Sequence, residues 1–436
     1  MTDVLLDRPE VRSRLNDVPR LSMAGQLVRV VGLEAEARGV RGAIGDQMWI
    51  GNANARVPAE VIAVKDDRLL LMPFGEMTGI GPGATVVNAG SKFKLRVGHG
   101  LVGRVVDALG RRIDGYEPVL GELVDFDSAV PNPMKRQRIN QTLPLGVRSV
   151  DTLLTCGTGQ RMGIFAGSGV GKSTLLGMMA RGTQADVVVV GLVGERGREV
   201  REFLEDDLGP EGRARAVTVV ATSDEPPLLR LRAAFTATRI AEWFRDQGLN
   251  VLLLVDSLTR FAMAQREVGL AAGEPPATRG YPPSVFATMP KLLERAGPGE
   301  IGTITALYTV LVEGDDLNEP VTDHARSILD GHIVLSRKLA AAGQYPTVDV
   351  LESVSRLSGK LCSPERLAMG RRLRQLMIAW EEAKDLVEIG AYVPGTNPDV
   401  DTYIARRHLI EGFLKQDVHE IADSEASWNR LAEVVA

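Results

Sequence analysis

The 436-residue sequence predicts a multidomain α/β fold: a small N-terminal β-barrel, a central doubly wound parallel sheet and a C-terminal helical domain. Three observations carry this. Residues 21–95 hold short β-forming runs separated by turn dipeptides. Residues 96–365 alternate near-continuous Val/Leu runs with helical stretches, the pattern of parallel strands covered on both faces. Residues 366–436 carry apolar side chains at helix spacing. A chain of this length exceeds what one ordinary core can use, so several domains are expected.

Residues 1–20 stand apart. Pro9 can open a short helix with Val11, Leu15 and Val18 on one stripe. So short a helix needs something to pack on. The segment reads either as a partner-docking element or as a frayed terminus. In the barrel region the strand runs are Leu27-Val28-Arg29-Val30-Val31, Val61-Ile62-Ala63-Val64 and Leu69-Leu70-Leu71-Met72, with Gly51-Asn52 and Asp66-Asp67 as turn signals. Closing them into a barrel leaves no long open edge. In the core the runs are Val187-Val188-Val189-Val190, Val217-Thr218-Val219-Val220 and Val251-Leu252-Leu253-Leu254-Val255, with 228–247 as a crossover helix. Three helices close the chain. The first carries Leu373, Leu376, Met377, Trp380 and Val387 and stops at Gly390. The second carries Tyr403, Ile410, Phe413 and Leu414, and the third Trp428 and Leu431.

Composition narrows the function classes. With 44% hydrophobic and 25% charged residues, the chain is of soluble globular type. A net charge of −5 argues against nucleic-acid binding as its main task, since neutralising phosphates needs excess Lys and Arg. Only two cysteines occur, Cys156 and Cys362, which excludes a disulfide framework or a C-x-x-C metal site. No apolar run reaches membrane-span length, and the N-terminus lacks a signal-peptide core, so a cytoplasmic protein is expected. Any membrane attachment would be indirect.

The chemistry concentrates in Ala166-Gly167-Ser168-Gly169-Val170-Gly171-Lys172-Ser173-Thr174. Three glycines let the backbone fold tightly and aim N–H groups at one point. Lys172 adds a mobile charge for the outer phosphates of a nucleotide, and the Ser173 hydroxyl can ligate the accompanying Mg²⁺. Ala166 departs from the general phosphate-loop pattern at its first position. The flanks fit: Gly163-Ile164-Phe165-Ala166 reads as a buried strand and the residues from Thr174 to Ala180 as a helix. Asp256 ends an apolar strand, where a carboxylate faces the ligand crevice and can hold Mg²⁺ through water. Glu195, in Gly194-Glu195-Arg196-Gly197-Arg198-Glu199, can point a water at a terminal phosphorus. Arg196 and Arg198 can pair with phosphate or with Glu199.

Taken together, the loop, the Gly194–Glu199 motif and Asp256-Ser257-Leu258-Thr259-Arg260 resemble the rotary-ATPase superfamily of hexameric, RecA-like P-loop enzymes. The likeness continues in Tyr281-Pro282-Pro283-Ser284-Val285-Phe286, in Asp330-Gly331-His332-Ile333-Val334-Leu335-Ser336-Arg337, in Gln344-Tyr345-Pro346 and in Glu352-Ser353-Val354-Ser355-Arg356. Phe165 to Ser173 and Met289 to Gly297 are most similar to the type III secretion ATPases of the flagellar protein-export branch, where Ala166 is the usual residue. The resemblance implies hydrolysis of ATP to ADP with Mg²⁺ in a homohexamer. It implies Arg356 as an arginine finger inserted by a neighbour, Tyr345 packed on adenine, Glu195 polarising water, and Arg196 and Arg260 near the phosphates. Implied partners are a stator-like regulatory dimer on the N-terminal segment, a central coiled-coil stalk protein, export chaperones with cargo, and a membrane export gate. The alternatives are a virulence-type secretion ATPase, a catalytic subunit of a rotary ATP synthase and, in another class, an RNA-translocating terminator-like helicase. The last needs exposed aromatics in a basic groove, for which the barrel offers only Trp49, Phe74 and Phe93.

Overall fold

A computed structural model describes residues 23–52, 55–117, 120–312, 314 and 316–436. The docking segment expected at 1–20 lies outside the described residues. The chain divides into two compact units, one ending at Phe93 and the other spanning 94–436.

The first unit is a closed barrel of β1 (Ala24–Val31), β2 (Glu34–Arg38), β3 (Gln47–Asn52), β4 (Ala55–Lys65), β5 (Arg68–Pro73) and β6 (Thr85–Asn88). Their order around the barrel is β1-β2-β5-β4-β3-β6, with β6 returning to pair β1. Alternation dictates the facing. Ala35 and Ala37 point inward against Leu27, Leu69 and Leu71. Between them Glu36 points outward and pairs with Arg29 at 3.0 Å and Arg68 at 2.8 Å. Small residues such as Ala35, Ala37 and Ala59 suit so narrow an interior. Asp66-Asp67 forms the expected β4–β5 turn, with Asp66 at a positive φ of 52°. Gly51-Asn52 is strand rather than turn: β3 runs through both, pairing Gly51 with Arg56 and Asn52 with Ala55. Phe74 is buried and meets Phe93 edge-on at 4.7 Å, so neither ring is laid out as a platform for bases.

The second unit contains a two-stranded ribbon, β7 (Lys94–Val97) with β9 (Glu122–Asp125), and a nine-stranded sheet. The sheet strands are β8 (Val105–Asp107), β10 (Arg161–Ala166), β11 (Val187–Glu195), β12 (Ala216–Thr222), β13 (Asn250–Asp256), β14 (Gly297–Pro298), β15 (Thr303–Leu311), β16 (Gly331–Leu335) and β17 (Val348–Ser355). The order is β17-β16-β10-β15-β13-β11-β12-β8, with β14 pairing β15 off this path. From β16 to β8 all neighbours are parallel. Every residue of β11 is buried, as continuous apolar strands between two layers must be. The sheet is not wholly parallel: β17 runs antiparallel to β16. The link between them holds only the short helix Arg337–Ala341, too little to cross the sheet face and return in the same direction.

The helix Pro227–Asp246 covers β11, β12 and β13, where the crossover was expected. The three C-terminal helices are Pro364–Glu388, Pro398–Leu414 and Ser424–Val435. Their Leu373, Trp380, Phe413 and Trp428 share one apolar cluster with the sheet. Trp380 stacks on Tyr403 with ring centres 5.0 Å apart. Cys156 is buried and Cys362 half-buried, both as free thiols.

Candidate active site

The order of strands builds the site. The phosphate-loop strand β10 and the Asp256 strand β13 are separated by one strand, β15, and the Glu195 strand β11 follows. Their C-terminal ends therefore bring residues far apart in sequence to one edge of the sheet. The loop after β10 turns into the helix Lys172–Gly182, whose N-cap Gly171 sits at φ 84°. Only glycine adopts this freely, and a Cβ there would lie 3.6 Å from the Tyr345 ring. Val170 is buried in the core and its carbonyl accepts a 2.6 Å bond from the Thr347 hydroxyl, which anchors the loop. Gly167, Ser168, Gly169, Lys172, Ser173 and Thr174 line a cleft of about 680 Å³. The first N–H groups of the helix have no partner within it and so can take an anion.

Lys172 reaches across this cleft. Its Nζ lies 2.5 Å from Asp256 Oδ1 and 3.5 Å from Glu195 Oε1. Burial pulls the ammonium down, but the two carboxylates beside it outweigh that and hold it above the ordinary lysine value. Asp256 is buried and accepts a second bond on Oδ1, 2.6 Å from the Thr309 hydroxyl. Burial pushes the Glu195 carboxyl up to about 7, with Asp256 and Glu199 adding to the rise and Lys172 and Arg260 opposing it. Glu195 Oε1 and Arg260 Nε are buried 3.6 Å apart, and neither makes a hydrogen bond. Two such atoms facing a cleft are suited to a ligand or water. Gly194 makes room for Arg260: at φ 70° it has no Cβ, where one would fall 2.8 Å from Arg260 Cδ. Ser257 caps the helix that carries Arg260, accepting its N–H at 3.3 Å.

The other expected residues divide. Arg196 is at the cleft, with its side chain 73% exposed and 3.4 Å from Glu199. Tyr345 is 47% exposed, its ring against Gly171, and its carbonyl accepts the Gln416 N–H at 3.0 Å. Arg356, at the end of β17, is exposed and outside the cleft. Among the described residues, its guanidinium bonds the Arg326 carbonyl, at 3.1 Å.

Sequence reasoning missed Thr309, and it gave no role to Arg266, Tyr281 and Glu319, which also line the cleft. In the sequence Thr309 is one hydroxyl beside those of Thr303, Thr305 and Tyr308 in the same run, so nothing singles it out. Among the described residues no group of three or more His, Cys, Asp or Glu could hold a metal alone. A cation here must draw most ligands from a polyphosphate and water, as Mg²⁺ does, and the Ser173 hydroxyl with the Asp256 carboxylate fit that donor set.

Comparison with known proteins agrees with this geometry. Residues 146–355 match the family model of the ATP synthase alpha/beta family, nucleotide-binding domain, and residues 362–433 match that of the T3SS EscN ATPase C-terminal domain. The chain is 52% identical to the flagellum-specific ATP synthase of Bacillus subtilis over 92% of its own length and 93% of that protein's. The assembled ATPase EscN from the type III secretion system of enteropathogenic E. coli is 46% identical, with a TM-score of 0.90 over 94% of this chain and all of that one. EscN in complex with its central stalk EscO superposes with a TM-score of 0.88 at 45% identity, over 94% of this chain and 100% of that one. The chain thus belongs to the ATPase family of the flagellum-specific ATP synthases and type III secretion ATPases, built on the nucleotide-binding domain of ATP synthase.

Proposed function

We propose that this chain is the Mg²⁺-dependent ATPase that energises a flagellar protein-export apparatus, acting as a homohexamer. The observation that carries the reading is the buried Lys172–Glu195–Asp256 cluster at the phosphate loop, with Arg356 exposed and outside that cleft. One chain offers a nearly complete pocket that lacks only a cation for the far side of the triphosphate. A neighbouring copy supplies it.

In this reading the loop N–H groups and Lys172 bind the β- and γ-phosphates, and Tyr345 packs on the adenine. Ser173, and Asp256 through water, would hold Mg²⁺, which when bound neutralises phosphate charge. Glu195 accepts a hydrogen bond from the attacking water and aims its oxygen at the γ-phosphorus. Arg260 fixes the Glu195 carboxylate, and Arg196 flanks the phosphates. The water oxygen bonds to phosphorus, the bridging P–O bond breaks, and the water proton ends on the released phosphate. Arg356 of the neighbour stabilises charge moving onto the leaving oxygen.

The family likeness supports further parts. Residues 1–20 would be gripped by a stator-like dimer. A central coiled-coil stalk would enter the ring, as the EscN–EscO complex suggests by analogy. Chaperone–cargo complexes and a membrane export gate would complete the machine. No described helix is long and apolar enough to cross a membrane, and the reading places the protein in the cytoplasm, held at the inner membrane by these partners. The likeness to EscN favours a second reading, a virulence-type secretion ATPase. Deleting the gene separates the two: flagellar filaments vanish under the first and effector secretion under the second.

Complementation tests the shared pocket. Lys172→Ala and Arg356→Ala subunits should each be inactive alone. Mixed in equal amounts, they should recover turnover, because about a quarter of pockets in a random ring then join an intact loop to an intact finger. A mixture that stays inactive while assembling normally would refute the shared site.

A further inference from the structure

We propose that Thr309 is a positioning residue for the nucleotide site, holding the Asp256 carboxylate in place when Lys172 moves to the phosphates. The inference rests on reading Asp256 as the residue that holds metal-bound water.

The sheet order puts Thr309 where it can do this. β15 lies between the phosphate-loop strand and the Asp256 strand. Thr309 is in register with Ile164 on one side, and its predecessor Tyr308 is in register with Val255 on the other. Thr309 therefore stands beside Asp256, with both side chains on one face of the sheet. It is fully buried. A hydroxyl in that position is costly unless it is paired. Its short bond, 2.6 Å, goes to Asp256 Oδ1, while the Val255 carbonyl is 3.4 Å away. The β-branch restricts χ1, so the hydroxyl is held at this angle rather than sampling others.

Lys172 Nζ uses the same oxygen, at 2.5 Å. With both donors on Oδ1, the other carboxylate oxygen is the one left for a water on the metal. The two donors differ in what nucleotide does to them. A triphosphate draws the mobile ammonium away, whereas Thr309 is fixed in the strand. Once nucleotide is bound, Thr309 is the donor that keeps Asp256 from rotating.

The test compares Thr309→Val, which keeps the shape and removes the donor, with Thr309→Ser, which keeps the donor. Asp256→Asn is the reference. Calorimetry gives the affinity for ADP in Mg²⁺ and in EDTA, and the ATPase rate is titrated with Mg²⁺ at fixed ATP. Thr309→Val should raise the half-saturating Mg²⁺ concentration about tenfold, as expected for losing a hydrogen bond to a charged group. Its ADP affinity in EDTA should stay at the wild-type value. Thr309→Ser should lie within about twofold of wild type on both measures. The proposal is overturned if Thr309→Val titrates like wild type while Asp256→Asn does not, or if Thr309→Val weakens binding equally with and without Mg²⁺. If Asp256→Asn also titrates like wild type, the metal reading of Asp256 fails first, and the proposal falls with it. A melting curve checks folding. Should the valine variant not fold, Thr309→Ala against Thr309→Ser gives the same contrast.

Discussion

The two sides of the proposed pocket are built in opposite ways. At the phosphate loop, Lys172, Glu195 and Asp256 are pressed together within one subunit, largely out of water. At the end of β17, Arg356 is exposed and, among the described residues, tied to the Arg326 carbonyl. Burying ions costs several kcal/mol each before their mutual attraction is counted, so the fold must hold the first group in place. The second group, being exposed, carries no such cost in the isolated subunit. The contrast teaches where control can enter. In the proposed pocket the binding half is set by folding, and the catalytic complement would come from contact between copies.

The most damaging change to the preassembled half is Lys172→Ala. It removes the charge that offsets two buried carboxylates and that, in the proposed function, meets the phosphates. Turnover should fall by about 10⁴-fold, and nucleotide affinity by roughly 100-fold, as expected when a preorganised phosphate clamp is lost. Steady-state rates and calorimetry read the two effects. Retained tight binding would mean that the loop N–H groups carry recognition without the ammonium.

Arg356→Ala should strike the other half selectively. Turnover should drop by about 10³-fold, the scale of a missing arginine finger. Nucleotide binding by dilute subunits and the melting temperature should not change, because the side chain is exposed and bonds the Arg326 carbonyl alone among the described residues. A loss of nucleotide affinity in the dilute protein would place Arg356 in its own pocket and end the contrast.

Glu195→Gln should cost about 10²-fold in turnover with binding preserved. The wild-type carboxyl also predicts a pH profile. Being pushed up to about 7, it carries its charge only above that pH. Log kcat/KM should therefore rise with pH toward about 7 and then level, and Glu195→Gln should flatten that limb. Stability moves the opposite way. A carboxyl whose value is raised on folding contributes stability that is present in acid and lost as pH climbs through about 7. The nucleotide-free protein should thus lose melting temperature across that range, and the glutamine variant should lose less.

How much of this was legible depended on how local each signal is. The phosphate loop is readable because glycines, Lys172 and Ser173 are contiguous and their flanks have clear periods. Asp256 is readable because it follows five apolar residues, so a carboxylate stands where a strand ends. Thr309 was not readable. Threonine is ordinary in a strand, and its role exists only because β15 is inserted between two strands whose sequence order does not announce it. The reversed β17 was hidden for the same reason, since direction is set by the connection and not by the strand. At Gly51-Asn52 the turn residues were real signals, but the register carried the strand through both.

Gln416 shows the same limit and gives the finest test of the preassembled half. It follows the helix Pro398–Leu414 and reads as an ordinary polar residue, yet it is 6% exposed. Its Oε1 accepts the Arg148 N–H at 2.8 Å, and its Nε2 donates to the Gly146 and Glu420 carbonyls, each at 2.8 Å. Its own N–H holds the Tyr345 carbonyl. The last bond is backbone and survives any substitution except proline, so Gln416→Ala should act only by loosening where that N–H stands. The buried Arg148 N–H loses its partner, the buried Gly146 carbonyl keeps the Ala422 N–H at 3.0 Å, and the exposed Glu420 loses a bond to its carbonyl, which together should cost about 1–3 kcal/mol of stability. Nucleotide affinity should weaken by no more than about fivefold, and turnover at saturation should stay within about twofold of wild type. A stability loss with unchanged affinity would mean that Tyr345 is placed by the turn at Pro346 alone. The C-terminal helices would then pack on the preassembled half without setting the side proposed for adenine.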